Sequence, residues 1–502
     1  MSSEPTVAHI PYGNFTRPRR DGILGLPVIA TAALVPLVIL LIAMMANQWF
    51  LEAVILVVAS AATMFLLLGL KIQGRSFAER QMLRGMHRVK TRQGNHLYLP
   101  GPAGKIPNGT FTLPGLMAPS TIEDHRDGFG TPFGLIEVPS VAHYTVVIET
   151  YPDGDALVDQ DRIDSQVASW GAWLGQLGVD DGIVGASVTV ETAPDSGVRL
   201  ARMVDSNLDP DAPPFAIAIA NELSGSLSAG SPRISTRIAI TFSGRGFEGA
   251  GRDRGRAAMA EEIGNRLPVL LSSLGETGAG TSARPCTAQD IIDFTRTAYD
   301  PTVATQIEQS RADGGTGLTW ADAGPAFAED KMDRYVHDRA VSKTWQMYEA
   351  PKGFFYSTAM RRLVEPTTGV LRKRVTLLYR PVPAGKASEI VEKDINNAIW
   401  SNTQKKRASA KGQLQLKYAE KAAQEEASGA GLLRFGVLVT VTVANSDEFP
   451  RLDKVIPSLG NQARLRLREA LGNHAVAFQA ALPLGVVLSK HSFVPDEIRE
   501  WM

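Results

Sequence analysis

Between Ile23 and Leu70 the chain carries almost nothing but apolar and small side chains, and no other stretch restricts what it can fold into so strongly. Ile23 to Ala46 is 24 residues without a charge, where about 20 residues at about 1.5 Å each cross a ~30 Å hydrocarbon core. Pro27 and Pro36 interrupt the run, which a membrane helix tolerates when neighbouring groups satisfy the freed carbonyl. A second run, Phe50 to Leu70, has one charge, Glu52, at its edge, and only Asn47, Gln48 and Trp49 join the two. Arg17, Arg19 and Arg20 precede the first run, and Lys71, Arg75, Arg80, Arg84, Arg88, Lys90 and Arg92 follow the second. The excess of positive charge on both flanks predicts cytoplasmic ends. A cleaved signal peptide fits less well, because the apolar core is too long and no Ala-x-Ala site closes it. The length of both runs also weighs against a buried soluble hairpin. The expectation is a two-pass plasma-membrane protein, with a cytoplasmic segment over residues 1–22 and a transmembrane helical hairpin over 23–70. Arg80, Arg84 and Arg88 recur every fourth residue, so the basic stretch would lie along the anionic headgroups of the lipid bilayer.

The remainder is long enough for two further domains out of 502 residues. Fifty-two Lys and Arg balance 52 Asp and Glu, which excludes a molecule that binds nucleic acid through its overall charge. Charge is nevertheless segregated: Thr121 to Ala220 holds 17 acidic and four basic residues, a balance of −13. Such a lobe repels DNA and anionic lipid. The single cysteine, Cys286, excludes an internal disulfide, a multi-cysteine zinc site and an iron–sulfur cluster.

Residues 71–120 read as a basic juxtamembrane helix and a linker rich in Gly and Pro. After it, residues 121–285 form an acidic-start α+β lobe, 286–370 a connecting region, and 371–502 a C-terminal α+β lobe with a long helix. The fold class expected is therefore α+β: a transmembrane hairpin followed by two cytoplasmic lobes. In the first lobe His143–Thr150 and Ile183–Thr192 read as strands and Asp159–Leu177 as a helix. Trp170, Trp173, Leu174 and Leu177 lie on one face of that helix, a core stripe in preference to a ligand-stacking pair. Ile234–Phe242 alternates as an antiparallel strand does, and a helix follows from Arg252 to about Leu274. In the second lobe Leu371–Val382 and Phe435–Ala444 are strands, Ser388–Glu426 is a helix or helical hairpin, and Glu448–Leu471 is helical. Ala475–Gly485 is expected to close the lobe as a strand. Lys405, Lys406 and Arg407 read as a solvated helix face in preference to a phosphate-contacting patch.

The sequence excludes more chemistry than it offers. Neither Lys105 nor Lys386 follows a glycine at the spacing of a phosphate-binding loop. His9, His87, His96, His125, His143, His337, His474 and His491 form no His-x-x-x-His pair, and no Gly-x-Ser-x-Gly turn occurs. No metal site and no catalytic residue is expected. Cys286 reads as an ordinary loop thiol. One loop matches a dinucleotide fingerprint in letters: Gly244, Gly246 and Gly249 stand between a strand and a helix. The alternating strand before it argues for a connection instead, since a doubly wound sheet would bury that strand on both faces.

Several segments together resemble membrane proteins encoded in conjugation-type secretion clusters of actinobacteria: "PYGNFTRPRRDGILGL", "LPGLMAPS", "FGLIEVPSVAHYTVVIETYPDG" and "WGAWLGQLG". The hairpin is similar to the PrgI-like subunit of Gram-positive type IV secretion. From the long helix through "FGVLVTVTVANSDEFPRLDKV" to "FQAALPLG", the chain resembles the N-terminal half of VirB-type traffic ATPases, without their motor domain. The resemblance implies a non-enzymatic inner-membrane subunit of an export machine, free of cofactor. It would anchor or dock a separate VirB-type ATPase among other membrane subunits, and homo-oligomerisation stays open. Two alternatives remain at this point: a membrane component of a type VII-like system, and a membrane-tethered dinucleotide-binding enzyme.

Overall fold

The computed structural model describes residues 12, 13, 15, 28–64, 71–102, 104, 110–152, 154, 158–180, 182–209, 211–228, 232–245, 251–351, 355–403, 410–427 and 431–491. They fall into two units, one holding residues 16–95 with 488–502 and the other 1–15 with 96–487.

In the smaller unit the apolar runs do form a helical hairpin, α1 (Val28–Ala46) and α2 (Phe50–Met64). The turn closes through the amide of Trp49 on the carbonyl of Met44, 3.0 Å. The expected transmembrane hairpin is nonetheless not supported, because no helix among the described residues is long and apolar enough to cross a membrane. α1 has 19 residues with Pro36 inside it. The 15 residues of α2 rise only about 22 Å against a ~30 Å core. Residues 23–27 and 65–70, which the expectation needed, lie outside the described residues. The two-pass plasma-membrane placement and the transmembrane part of the fold class are corrected accordingly. A two-strand turn, β1 (Lys71–Ile72) and β2 (Arg75–Ser76), leads into α3 (Phe77–Arg92), whose first turn is capped by the Ser76 hydroxyl accepting from the Glu79 amide.

The larger unit is α+β and is built on a continuous antiparallel sheet. After the short strand β3 (Leu97–Tyr98), the chain makes β4 (Thr121–Arg126), β5 (Pro132–Val138), β6 (His143–Thr150), α4 (Gln160–Val179), β7 (Ile183–Pro194), α5 (Val198–Asn207), α6 (Pro214–Ser228), β8 (Pro232–Ser243), α7 (Arg256–Leu274), β9 (Arg284–Pro285) and α8 (Ala288–Tyr299). Helix α9 (Ala304–Ala312) leads to β10 (Ala328–Asp330), β11 (Tyr335–His337), β12 (Ala340–Glu349), α10 (Arg361–Val364), β13 (Arg372–Pro381), α11 (Ala384–Thr403), α12 (Ala410–Ala427), β14 (Leu433–Val443), α13 (Phe449–Gln462), β15 (Arg466–Glu469) and α14 (His474–Ala480).

The pairing shows that this unit is a duplication. One half runs β7-β8-β6-β5-β4 with β9 beside β6, and the other β13-β14-β12-β11-β10 with β15 beside β12. They join where β7 lies antiparallel to β13, with a register symmetric about Thr189 and Thr376. Residues 286–370, expected as a connection, supply α8, α9 and the strands β10, β11 and β12, of which β12 pairs with β14.

The two faces of the sheet are covered differently. On one face, α4 and α7 cover β6, β7 and β8, and α13 covers β12, β13 and β14. Helix α7 faces the sheet with Met259, Ile263, Leu267, Leu270 and Leu274, all buried, each worth roughly 1.5–3 kcal/mol against exposure. The other face is closed by α8, α14 and the segment after α14, around Val147, Ala239, Leu438 and Phe478. β6 is therefore buried along its whole length. Strand β8 is antiparallel as expected but half-exposed only at its start, because Thr241 lies under the closing segment. The long helix proves to be the hairpin α11–α12. The expected strand Ala475–Gly485 is corrected to α14 and a turn: a short apolar run does not distinguish a strand from a buried helix, and its alanines favour the helix.

Candidate functional site

Gly244 follows β8 in the loop with the dinucleotide-like spacing. Its amide donates to Ala142 O at 2.8 Å and its carbonyl accepts from the Arg254 amide at 3.1 Å. A Cβ here would stand 2.1 Å from Asp253 Oδ1 and 2.7 Å from the Tyr144 ring. The space that glycine leaves is thus filled by a carboxylate of the chain itself. Tyr144 donates to Asp253 at 3.1 Å and stands 3.4 Å from Glu137 Oε1. Burial, followed by the charges of Glu137 and Asp253, pushes its phenol well above the ordinary value. Arg256 closes the cluster, with Nε 2.5 Å from Glu137 and further contacts to Glu123 and Thr121. A carboxylate against Gly244, with a second on the neighbouring Tyr144 hydroxyl, does not fit a pyrophosphate, which needs donors. Gly246 and Gly249 lie outside the described residues.

Cys286 sits between β9 and α8, where its amide donates to Val147 O and its carbonyl accepts from Gly134 N, both at 2.8 Å. It is fully buried, and burial pushes the thiol up to about 12. A thiol held there supplies no thiolate at neutral pH. Above it Glu149 accepts from Arg237 at 3.1 Å and Arg284 at 2.7 Å, and Arg284 also reaches Asp290 at 3.1 Å. Burial alone would raise the Glu149 carboxyl, but Arg237, Tyr151 and Arg284 together bring it below its ordinary value.

A buried polar seam crosses the centre of the sheet. The hydroxyls of Thr189 and Thr376 meet at 3.1 Å, Thr145 and Thr241 at 3.0 Å, Ser342 and Thr442 at 2.7 Å, and Thr344 and Thr440 at 2.9 Å. The segment after α14 lies on this seam: Thr376 donates to Ala481 O at 2.8 Å and Thr241 to Gly485 O at 3.2 Å. Beside it Arg374 reaches Glu191 at 2.8 Å and stacks 4.6 Å from the Phe478 ring, while Arg372 takes the other Glu191 oxygen at 2.5 Å.

His337 completes the seam, a residue that sequence spacing had left among scattered histidines. The Tyr299 carbonyl, 2.5 Å from Nδ1, can only accept, so Nδ1 carries the proton and Nε2 accepts from the Ser342 hydroxyl at 2.7 Å. Burial lowers this histidine to about 4. The pair has the residue types of a nucleophile and base, but both are buried in the sheet. The cue in the sequence was the tight β11–β12 turn: His337 pairs with Ala340, which sets Ser342 diagonally across from it on the same face.

The two indoles resolve as core. Trp170 and Trp173 stack at 4.9 Å, and Trp173 is buried with Leu177 against the sheet. Lys405, Lys406 and Arg407 lie outside the described residues. On the surface, two helical hairpins stand at equivalent positions of the two halves: α5–α6 between β7 and β8, and α11–α12 between β13 and β14. Val391 and Ala419 are buried in the latter, while Ile399 is exposed. No protein-family model matches this chain, and no curated protein matches it.

Proposed function

We propose that the chain is a non-catalytic docking subunit of a conjugation-like export machine, and that its second half holds a separate traffic ATPase. The observation that carries this reading is the position of the groups with chemical potential. Cys286, His337 and Ser342 are interior and engaged by the chain itself, and the space at Gly244 is filled by Asp253. The reading is supported further by α11–α12, a long hairpin inserted between two central strands of the half whose sequence resembles traffic ATPases before their motor.

The test is co-purification from native cells. The full-length chain should retain a Walker-type ATPase encoded in the same cluster and should itself show no nucleotide turnover. Ile399→Glu, on the exposed side of α11, should release that ATPase. Intrinsic hydrolysis by the purified chain, or undiminished capture by the variant, refutes the assignment.

A further inference from the structure

Helix α6 presents Phe215, Ile219 and Leu223 at four-residue intervals, all exposed, Phe215 with 76% of its surface. Inward, α6 leans on α5, which is tied to the end of α9 by Arg202 and Asp313 at 2.7 Å. Scattered apolar residues on a surface need no explanation, but a row of three along one helix does. Helix α3 carries a second row, Met82, Met86 and Val89, again exposed, and none of its residues is buried. By the helical rise the two rows are about 12 Å and about 10 Å long.

Their rims carry opposite charge. Asp209 and Asp211 precede α6, whereas Lys90 and Arg92 close α3. Packed antiparallel, apolar row on apolar row, the basic end of α3 meets the acidic approach to α6, and the negative C-terminal pole of one helix faces the positive N-terminal pole of the other. An α6–α6 pairing has no such match: packed antiparallel, it sets Asp209 and Asp211 towards Glu222 of the second copy, like charge on like.

We propose that α3 of one copy of this chain docks antiparallel on the exposed face of α6 of a second copy. The two surfaces differ, so the contact is head-to-tail and leaves α6 open on one copy and α3 open on the other. Such a contact propagates to a closed ring or to a filament. The inference does not depend on the docking of an ATPase.

Sedimentation velocity of the full-length chain over about a hundredfold range of concentration tests it, since such an assembly follows mass action. The wild type should grow in size with concentration and should dissociate as salt is raised. Asp209→Lys with Asp211→Lys, and separately Lys90→Glu with Arg92→Glu, should each weaken association about tenfold or more. An equimolar mixture of the two doubly substituted chains should restore it, because each then offers what the other lacks. Met86→Gln, which keeps the helix-forming tendency and the charge, should weaken association as well. A concentration-independent monomer, a mixture that fails to associate, or unchanged association of the Lys90→Glu, Arg92→Glu chain overturns the proposal.

Discussion

The two halves of the large unit share one topology and differ in what they bury at equivalent positions. Cys286 in one half and Ala470 in the other donate to the carbonyls of Val147 and Thr344, so these positions correspond. By the same registers Ser187 corresponds to Arg374, and Val138 to His337. Ser187 keeps a buried hydroxyl without a hydrogen-bond partner, whereas Arg374 is a buried cation held by Glu191 from across the seam. Neither half is uniformly the more polar: the register that sets Ser187 against Arg374 also sets Glu191 against Leu378, so each half buries charge where the other does not. Topology is set by the shared pattern of strands, while sensitivity to substitution and pH follows whichever half places a charge or a histidine at a given position.

The largest effect should come from the ion pair. Glu191→Leu removes the counter-charge of Arg374 and Arg372 while both stay at the seam, and should cost about 3–5 kcal/mol in denaturant unfolding. Ser187→Ala, at the position that corresponds to Arg374, removes only an unpaired hydroxyl and should be neutral or slightly stabilising. Equal losses at both sites would break the comparison.

The next contrast is in pH. His337 is held at about 4 in the folded chain against an ordinary 6.5, so the unfolded chain takes up a proton first as the solution is acidified. Stability from this group is complete above about 6.5, is lost as pH falls towards about 4, and amounts to roughly 3 kcal/mol. Unfolding measured against pH should lose that component in His337→Val, which copies Val138. A smaller effect is expected at Gly485, where φ is +74° and a Cβ would stand 2.0 Å from Thr145 Oγ1. Gly485→Ala should lift the closing segment and lower stability by about 1–3 kcal/mol, read by thermal unfolding.

Strands β6, β7, β8, β13 and β14 and helix α4 were legible from periodicity because each is long and flanked by turn-formers. α14 and β15 were not: "AVAFQAA" and "RLRE" are too short for period to decide, and their partners lie more than a hundred residues away on β12. The duplication was legible only as two lobes of similar character. Its corresponding positions hold pairs as unlike as Cys286 and Ala470 or Val138 and His337, and only the hydrogen-bond register relates them. The apolar hairpin was legible as a hairpin. Its crossing of a membrane was inferred from run length, and the described helices fall short of it. Of the candidate site, the sequence showed the Gly244 spacing but not the carboxylate that fills it, because Asp253 reaches Gly244 only when the loop folds back.

The pairing of β7 with β13 also sets an order of events during synthesis. The strands and helices from β4 to α8 are all made before residue 300, yet the seam side of β7 has no partner until residues 372–381 emerge. For that interval the growing chain holds a twelve-residue strand with one bare side, the kind of edge that pairs with whatever strand arrives first. On crowded polysomes the nearest equivalent strand is β7 of the neighbouring nascent chain. Slowing translation between Pro194 and Arg372 is therefore expected to raise the share of an exchanged pair over the folded chain.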